Sequence, residues 1–208
     1  MSAVLMPRPA AAQRLARLVD RAPRHRSRRI KLRPLAVDDA EPLWQATRNP
    51  AFNAFLTWPQ PAQRSELDER VTRMVAQARA RHVCLLSAVD IASERWVGLY
   101  RIEPDPVWGG DGWFELGMWV HPDFWGGGYA GELHATGTAL AFQESDAPGL
   151  AARTAVANPK GWKTLEHMGF KRTAEYEEPS EGGPPIPALA YCLLRGDWEQ
   201  AMAVAAAA

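Results

Sequence analysis

The stretch ELGMWVHPDFWGGGYAGEL, residues 115–133, decides how the rest of the chain is understood. Its first half has the apolar character of a strand, and from Tyr129 onward it has the composition of a helix. Between them stand Gly126, Gly127 and Gly128. Glycine loses more freedom on folding than any other residue, so three in succession need a physical reason. Two reasons are open: a tight strand-to-helix turn, or a backbone cradle for an anion. The first amides of a helix lack intrahelical partners, and the helix dipole places positive charge there. A pyrophosphate held this way needs no basic side chain. The spacing is neither GxxxxGK[ST] nor GxGxxG, so the two commonest phosphate-loop motifs are excluded.

Upstream, RIKLRPL at 29–35 alternates apolar and basic residues with the period of a strand, placing Ile30, Leu32 and Pro34 on one side. Asp38 is expected to cap a helix running to about Thr47, with Glu41 in capping-box position. NPAFNAFLTWPQP at 49–61 is a loop or broken helix carrying Phe52, Phe55 and Trp58. A second helix opens at Ser65 on Leu67, Val71, Met74 and Val75 and ends near Arg81. Strands follow at HVCLLSAV, RWVGLYRI and WFELGMWVH, the last two joined by the Pro- and Gly-rich EPDPVWGGDG.

Downstream of the glycines a helix reaches about Glu144, and GLAARTAVA forms a strand. Pro159 opens a helix that Gly169 ends. FKRTAEYEE and ALAYCLLRG are the closing strands, and DWEQAMAVAAAA is a terminal helix or tail. This order, with an antiparallel meander before the glycine turn, predicts a mixed α/β sheet rather than an alternating βαβ array.

Composition narrows the function classes. Of 208 residues, 47% are hydrophobic and 23% charged, which suits one packed domain with an extension. Lys plus Arg and Asp plus Glu each number 24, and this balance argues against bulk nucleic-acid binding. Cys84 and Cys192 lie in apolar runs and are expected to be buried, reduced thiols. No Cys/His spacing suggests a metal site. No apolar run approaches the ~18 residues of a membrane span, and the N-terminus lacks a compact apolar segment of the signal-peptide kind. A cytoplasmic location is therefore expected. Residues 1–27 form an N-terminal extension, in which AAQRLARLVDRA makes an amphipathic helix with Leu15, Leu18 and Val19 on one face. The basic PRHRSRR follows as a linker, residues 28–200 form the main domain, and 201–208 are an Ala-rich tail.

Four segments, in order, resemble the GNAT N-acetyltransferase superfamily. RIKLRPLAVDDAEPLW resembles its first strand and helix. WGGGYA resembles the turn of its motif A, in the Trp-Gly-x-Gly-Tyr-Ala form of the branch similar to ribosomal-protein-alanine acetyltransferases. NPKGWKTLEHMGFKRTAEYEE and AYCLLRGDWE resemble its later signatures. The match spans about Arg29 to Trp198 and implies a GNAT-type α/β fold: a mixed, mostly antiparallel central sheet, flanked by helices, whose fourth and fifth strands splay apart.

The resemblance also implies acetyl-CoA as acyl donor, with no metal. Backbone groups of Met118 and Val120 would hold the pantetheine arm in the splay. Trp125, Gly126, Gly127, Gly128, Tyr129 and Ala130 would surround the pyrophosphate, and Asn158 would contact the cofactor. Gly161 stands where the family usually has Ser, so a hydroxyl beside the leaving thiolate must come from elsewhere or be dispensable. An attacking amine has to shed a proton. Glu115 is the candidate base, Tyr191 the candidate acid, and the Val120 amide the candidate oxyanion donor. His121 could act near the thioester, although a lone His there is more often structural. Phe52, Phe55, Trp58 and Trp108 would wall the acceptor pocket.

The function implied is transfer of an acetyl group to a primary amine, either a protein N-terminus or a small molecule, by direct attack in a ternary complex. The protein would be a monomer or homodimer. The competing class is a non-catalytic acyl-CoA-binding module, supported by Gly161. A nucleic-acid regulator rests on RHRSRR alone.

Overall fold

The computed structural model describes residues 9–105 and 112–207. Seven strands form one sheet in the order β1-β2-β3-β4-β5-β7-β6. They are β1 Ile30–Pro34, β2 Cys84–Asp90, β3 Trp96–Pro104, β4 Phe114–Val120, β5 Gly149–Ala155, β6 Lys171–Glu178 and β7 Ile186–Leu194. Only β4 and β5 are parallel; every other neighbouring pair is antiparallel. The helices are α1 Pro9–Arg21, α2 Ala40–Thr47, α3 Pro50–Asn53, α4 Arg64–Arg79, α5 Tyr129–Gln143, α6 Pro159–His167 and α7 Arg195–Ala207.

Each face of the sheet carries its own core. One unites α1, α5 and α6 with the sheet through Leu15, Leu18, Leu133, Leu140, Leu165 and Tyr100. The other unites α2 and α4 through Leu43, Leu67, Val71 and Val75 with Leu85 and Leu99. Strand β2 is buried at all seven positions because both faces are covered, which is why its sequence is a continuous apolar run rather than an alternation.

The amphipathic helix expected near the N-terminus is α1, and Leu15 and Leu18 are fully buried in the first core. Glu144 at the end of α5 fastens it, with Arg17 Nε at 3.4 Å and His25 Nε2 at 3.2 Å. The two expectations about β1 and the following helix change in detail. Pro34 is exposed, whereas Ile30 and Leu32 are buried. The carboxylate that organises the start of α2 belongs to Asp39, not Asp38: it accepts the Ala36 N–H at 2.8 Å and is held by Arg33 and the Ser87 hydroxyl. Both cysteines are free thiols; Cys84 is buried and Cys192 half-buried. Burial pushes the Cys84 thiol up to about 12. Among the described residues, no helix is long and apolar enough to cross a membrane.

The sheet is joined only in part between β4 and β5. Their parallel pairing covers only Phe114↔Leu150, Glu115↔Ala151 and Leu116↔Ala152. Beyond it β4 stays paired to β3 as far as Val120, and β5 stays paired to β7 as far as Ala155. The two strands therefore part into a wedge at their C-terminal ends.

Candidate active site

Hydrogen-bond direction along β4 identifies which groups line the wedge. The His121 N–H donates to the Val97 carbonyl at 2.8 Å, which makes Gly98↔Val120 a non-hydrogen-bonded pair of the antiparallel ladder. Alternate residues then turn their N–H and C=O away from β3. For Leu116 these groups face β5 inside the paired region. For Met118 and Val120 they face the open wedge. The Val120 carbonyl is taken by the Trp125 indole N–H at 2.8 Å, which leaves the Val120 N–H and both polar groups of Met118 for a ligand. On the other side, the Val156 N–H bonds to the Pro187 carbonyl at 2.8 Å, so by the same alternation Arg153 and Ala155 turn their backbones toward β4; the Arg153 N–H closes the last paired position at Leu116, and the Arg153 carbonyl and the Ala155 backbone face the wedge.

The glycine turn lies just beyond β4. A short 3₁₀ turn at Pro122–Phe124 leads into it, capped by the buried His121 ring accepting from the Asp123 N–H at 3.2 Å. His121 is packed edge-on to Trp96 and Phe124, which gives it a structural place. Gly126 and Gly128 have φ of +77° and +80°, the left-handed region that side chains resist, whereas Gly127 is not in that region. Among the described residues, the amides from Gly126 to Ala130 meet no backbone acceptor at hydrogen-bonding distance. A chain of unpaired N–H groups at the start of a 15-residue helix is an anion cradle in form. One residue further along α5, a cavity of about 540 Å³ lies between α5 and α6, lined by Gly131, Glu132, Ala135, Lys163, Thr164 and neighbouring residues.

The start of α6 closes the other side. The Asn158 side chain caps it, with Oδ1 accepting the Gly161 N–H at 3.1 Å. Asn158 Nδ2 donates to Thr154 Oγ1 at 3.4 Å. A β-carbon placed on Gly161 would stand 2.5 Å from Thr154 Oγ1 and 2.7 Å from Asn158 Nδ2. The space that a residue-161 side chain would fill is therefore already occupied by the hydroxyl of Thr154.

Glu115 and Tyr191 are not brought together. Leu116, Ala152 and Tyr191 belong to the core on the α5/α6 face, so Glu115, paired with Ala151, faces the opposite side. Tyr191 is buried and donates to Glu166 Oε1 at 3.0 Å. Burial and this carboxylate push its phenol above the ordinary range.

Glu115 is also buried, with Oε1 held by Arg101 Nη2 at 2.9 Å and Oε2 held by Arg153. Arg153 extends past Ala190 of the neighbouring β7 to Glu178 at 3.2 Å, and Arg101 also bonds Glu103 at 2.8 Å. Burial pushes the Glu115 carboxyl up, against the pull of the two arginines.

Over this second face lies the segment after α3. Phe52 and Trp58 are buried and Phe55 is exposed. Trp58 meets Trp119 of β4 edge-on at 5.7 Å, and the Arg70 guanidinium sits 4.6 Å from the Trp58 ring centroid. The β6–β7 loop closes onto the same segment through Glu181 N–H to the Thr57 carbonyl, 2.7 Å. Trp108 lies outside the described residues. Sequence reasoning missed Arg101, Arg153 and Thr154. The signal for Arg153 was available: a charge inside the apolar run GLAARTAVA needs a buried partner.

Among the described residues, no cluster of side chains could hold a metal ion. The family of acetyltransferase (GNAT) domains matches residues 29–171. A search of curated proteins finds no significant match. Solved structures with the same fold include a GCN5-related N-acetyltransferase from Brucella melitensis, at 17% identity and TM-score 0.71, covering 84% of this chain and 80% of that one. A GNAT-family acetyltransferase from Bacillus anthracis aligns at 16% identity and TM-score 0.69 over 81% of this chain and 96% of its own. A spermidine N-acetyltransferase from Vibrio cholerae, determined with CoA and spermine, aligns at 18% identity and TM-score 0.68 over 82% and 98%.

Proposed function

The chain belongs to the GNAT acetyltransferase family, and from that premise we propose that it moves an acetyl group from acetyl-CoA to a primary amine. The observation that carries this reading is the wedge. It offers the polar backbone of Met118 and the N–H of Val120 to an extended chain, in line with the unpaired amides from Gly126 to Ala130. An arm ending in a pyrophosphate fits that sequence of donors. The cavity between α5 and α6 continues it, with Lys163 at the rim for a further phosphate.

Acetyl-CoA brings the thioester carbonyl. The Val120 N–H, fixed at the end of β4 by the Trp125 bond to the same residue, is the donor for the oxygen that gains charge. Glu115 is the base. Burial raises its carboxyl toward the working range, the two arginines fix its orientation, and each of its oxygens keeps a lone pair. Thr154 supplies the hydroxyl missing at residue 161. Asn158 donates to its oxygen, so its own hydrogen is free to stabilise a departing thiolate. In this reading the Thr154 hydroxyl stands in for the group absent at Gly161, whose loss would favour a non-catalytic module. Tyr191, bonded to Glu166 on the far face, serves packing in this reading.

The acceptor is a peptide N-terminus or a small amine approaching over Trp58 and Trp119. Arg70 above Trp58 is neutralised by Glu181 at 2.9 Å, so this approach carries no excess of negative charge that would select a polycation. The test is thiol release from acetyl-CoA against a panel of N-terminal peptides and small amines, alongside calorimetric titration with CoA. Release that depends on an amine supports the reading. CoA binding without release from any amine favours the binding module, and absence of CoA binding overturns both.

A further inference from the structure

The glycine turn is gripped from outside by one side chain that the roles above do not use. Arg29 precedes β1, yet its Nη1 donates to the Gly127 carbonyl at 2.9 Å. Its Nε donates to Glu132 Oε2 at 2.7 Å, and Nη2 lies 2.6 Å from the same oxygen. The Arg29 backbone N–H and the Ser27 hydroxyl take the other oxygen, at 2.9 Å and 2.5 Å. The guanidinium lies 4.1 Å from the centroid of the Tyr129 ring, whose hydroxyl donates to Asp90 at 2.8 Å.

Two consequences follow from elementary geometry and charge. The peptide between Gly127 and Gly128 is trans, as are all described peptide bonds, so its carbonyl and its N–H point in opposite directions. A guanidinium holding the Gly127 oxygen therefore aims the Gly128 N–H away from Arg29. Without that grip this peptide, flanked by two glycines, is free to rotate. The second consequence concerns Glu132. It stands in the first turn of α5 and lines the cavity beside the cradle, where its charge would oppose an anion. The paired fork of Arg29 neutralises it in place.

We propose that Arg29 is a positioning residue for the acyl donor: through Gly127 and Glu132 it presets the amides that receive the pyrophosphate. It does not touch the thioester. This rests on the acetyl-CoA reading above.

The experiment compares two donors, acetyl-CoA and S-acetylpantetheine, which carries the same thioester without the pyrophosphate. Arg29→Met is expected to raise the KM for acetyl-CoA about tenfold or more, with kcat changed less than about threefold. The same variant should leave kcat/KM for S-acetylpantetheine unchanged. By calorimetry its CoA affinity falls in parallel while pantetheine binding does not. Equal losses with both donors, or an unchanged KM for acetyl-CoA, would overturn the assignment. If Arg29→Met does not fold, Arg29→Lys carries the test, since a single ammonium replaces the separate nitrogens that now reach the two acceptors. It should show the same donor dependence at smaller size. A wild-type protein that binds no CoA defeats the cofactor reading and this proposal together. A wild type that binds CoA no better than a folded Arg29→Met protein defeats this proposal alone.

Discussion

The three glycines at 126–128 are chemically identical and physically different. Gly126 and Gly128 occupy the left-handed region, which costs an L-residue about 1–2 kcal/mol, whereas Gly127 does not. At Gly126 a β-carbon would meet nothing within 4 Å, so the cost of substitution there is purely one of backbone. At Gly127 it would lie 3.4 Å from the Tyr129 ring, a contact that small shifts relieve. Alanine at 126 or 128 should therefore lower stability by about 1–2 kcal/mol and raise the KM for acetyl-CoA, while Gly127→Ala stays near wild type in both. Urea unfolding and donor kinetics on the three variants check this, and equal effects at all three positions would refute it. The sequence distinguished these glycines through their motif positions. It carried no sign that Gly161 is required by its neighbour Thr154, because that contact joins a strand to the next helix.

At the scale of elements, the wedge between β4 and β5 matters more than either strand. Its paired end is tied on the acceptor face by Glu115 and Arg153, two residues one step apart from the last paired positions. A base at Glu115 predicts that Glu115→Gln lowers kcat about a hundredfold and removes the fall in kcat/KM at low pH. Because burial raises the carboxyl, that fall should lie above the ordinary carboxylate range. A tie without a base role predicts lost stability, since Arg153 loses a buried carboxylate partner, with the low-pH fall intact. The kcat/KM profile decides between them. The strands and helices themselves were legible to within a residue or two, since apolar period and the Gly and Pro stops act locally. Glu115 was legible as a candidate, but its partners were not: Arg101 and Arg153 are 14 and 38 residues away in the chain.

At the scale of the molecule, the core on the α5/α6 face encloses a histidine. His134 is buried, with Nδ1 3.0 Å from the Tyr100 hydroxyl, and burial pushes its pKa down to about 4. A group depressed in the folded state contributes stability that is fully present above its unfolded pKa and lost as pH falls through the folded one. Between about pH 6.5 and pH 4 the unfolded chain binds the proton that the folded chain refuses. The protein should thus lose up to about 3 kcal/mol across that window. His121, also pushed down by its burial, adds in the same direction. Denaturant midpoints at pH 7, 6, 5 and 4 measure the loss. His134→Gln should flatten it, and an equally steep loss in that variant would place its origin elsewhere.

The sequence by itself determined the order of strands and helices, the mixed sheet and the place of the glycine turn, because propensity, apolar period and turn chemistry are written in neighbouring residues. It also marked Met118 and Val120, through the motif they precede. Only the tertiary structure decided that β4 leaves β5 after Leu116, that Thr154 fills the space beside Gly161, and that Tyr191 faces away from Glu115. It alone placed Arg29 on the carbonyl of Gly127, 98 residues later. These are relations between segments far apart in the chain. They are set when the two faces of the sheet are covered, and no local pattern encodes them.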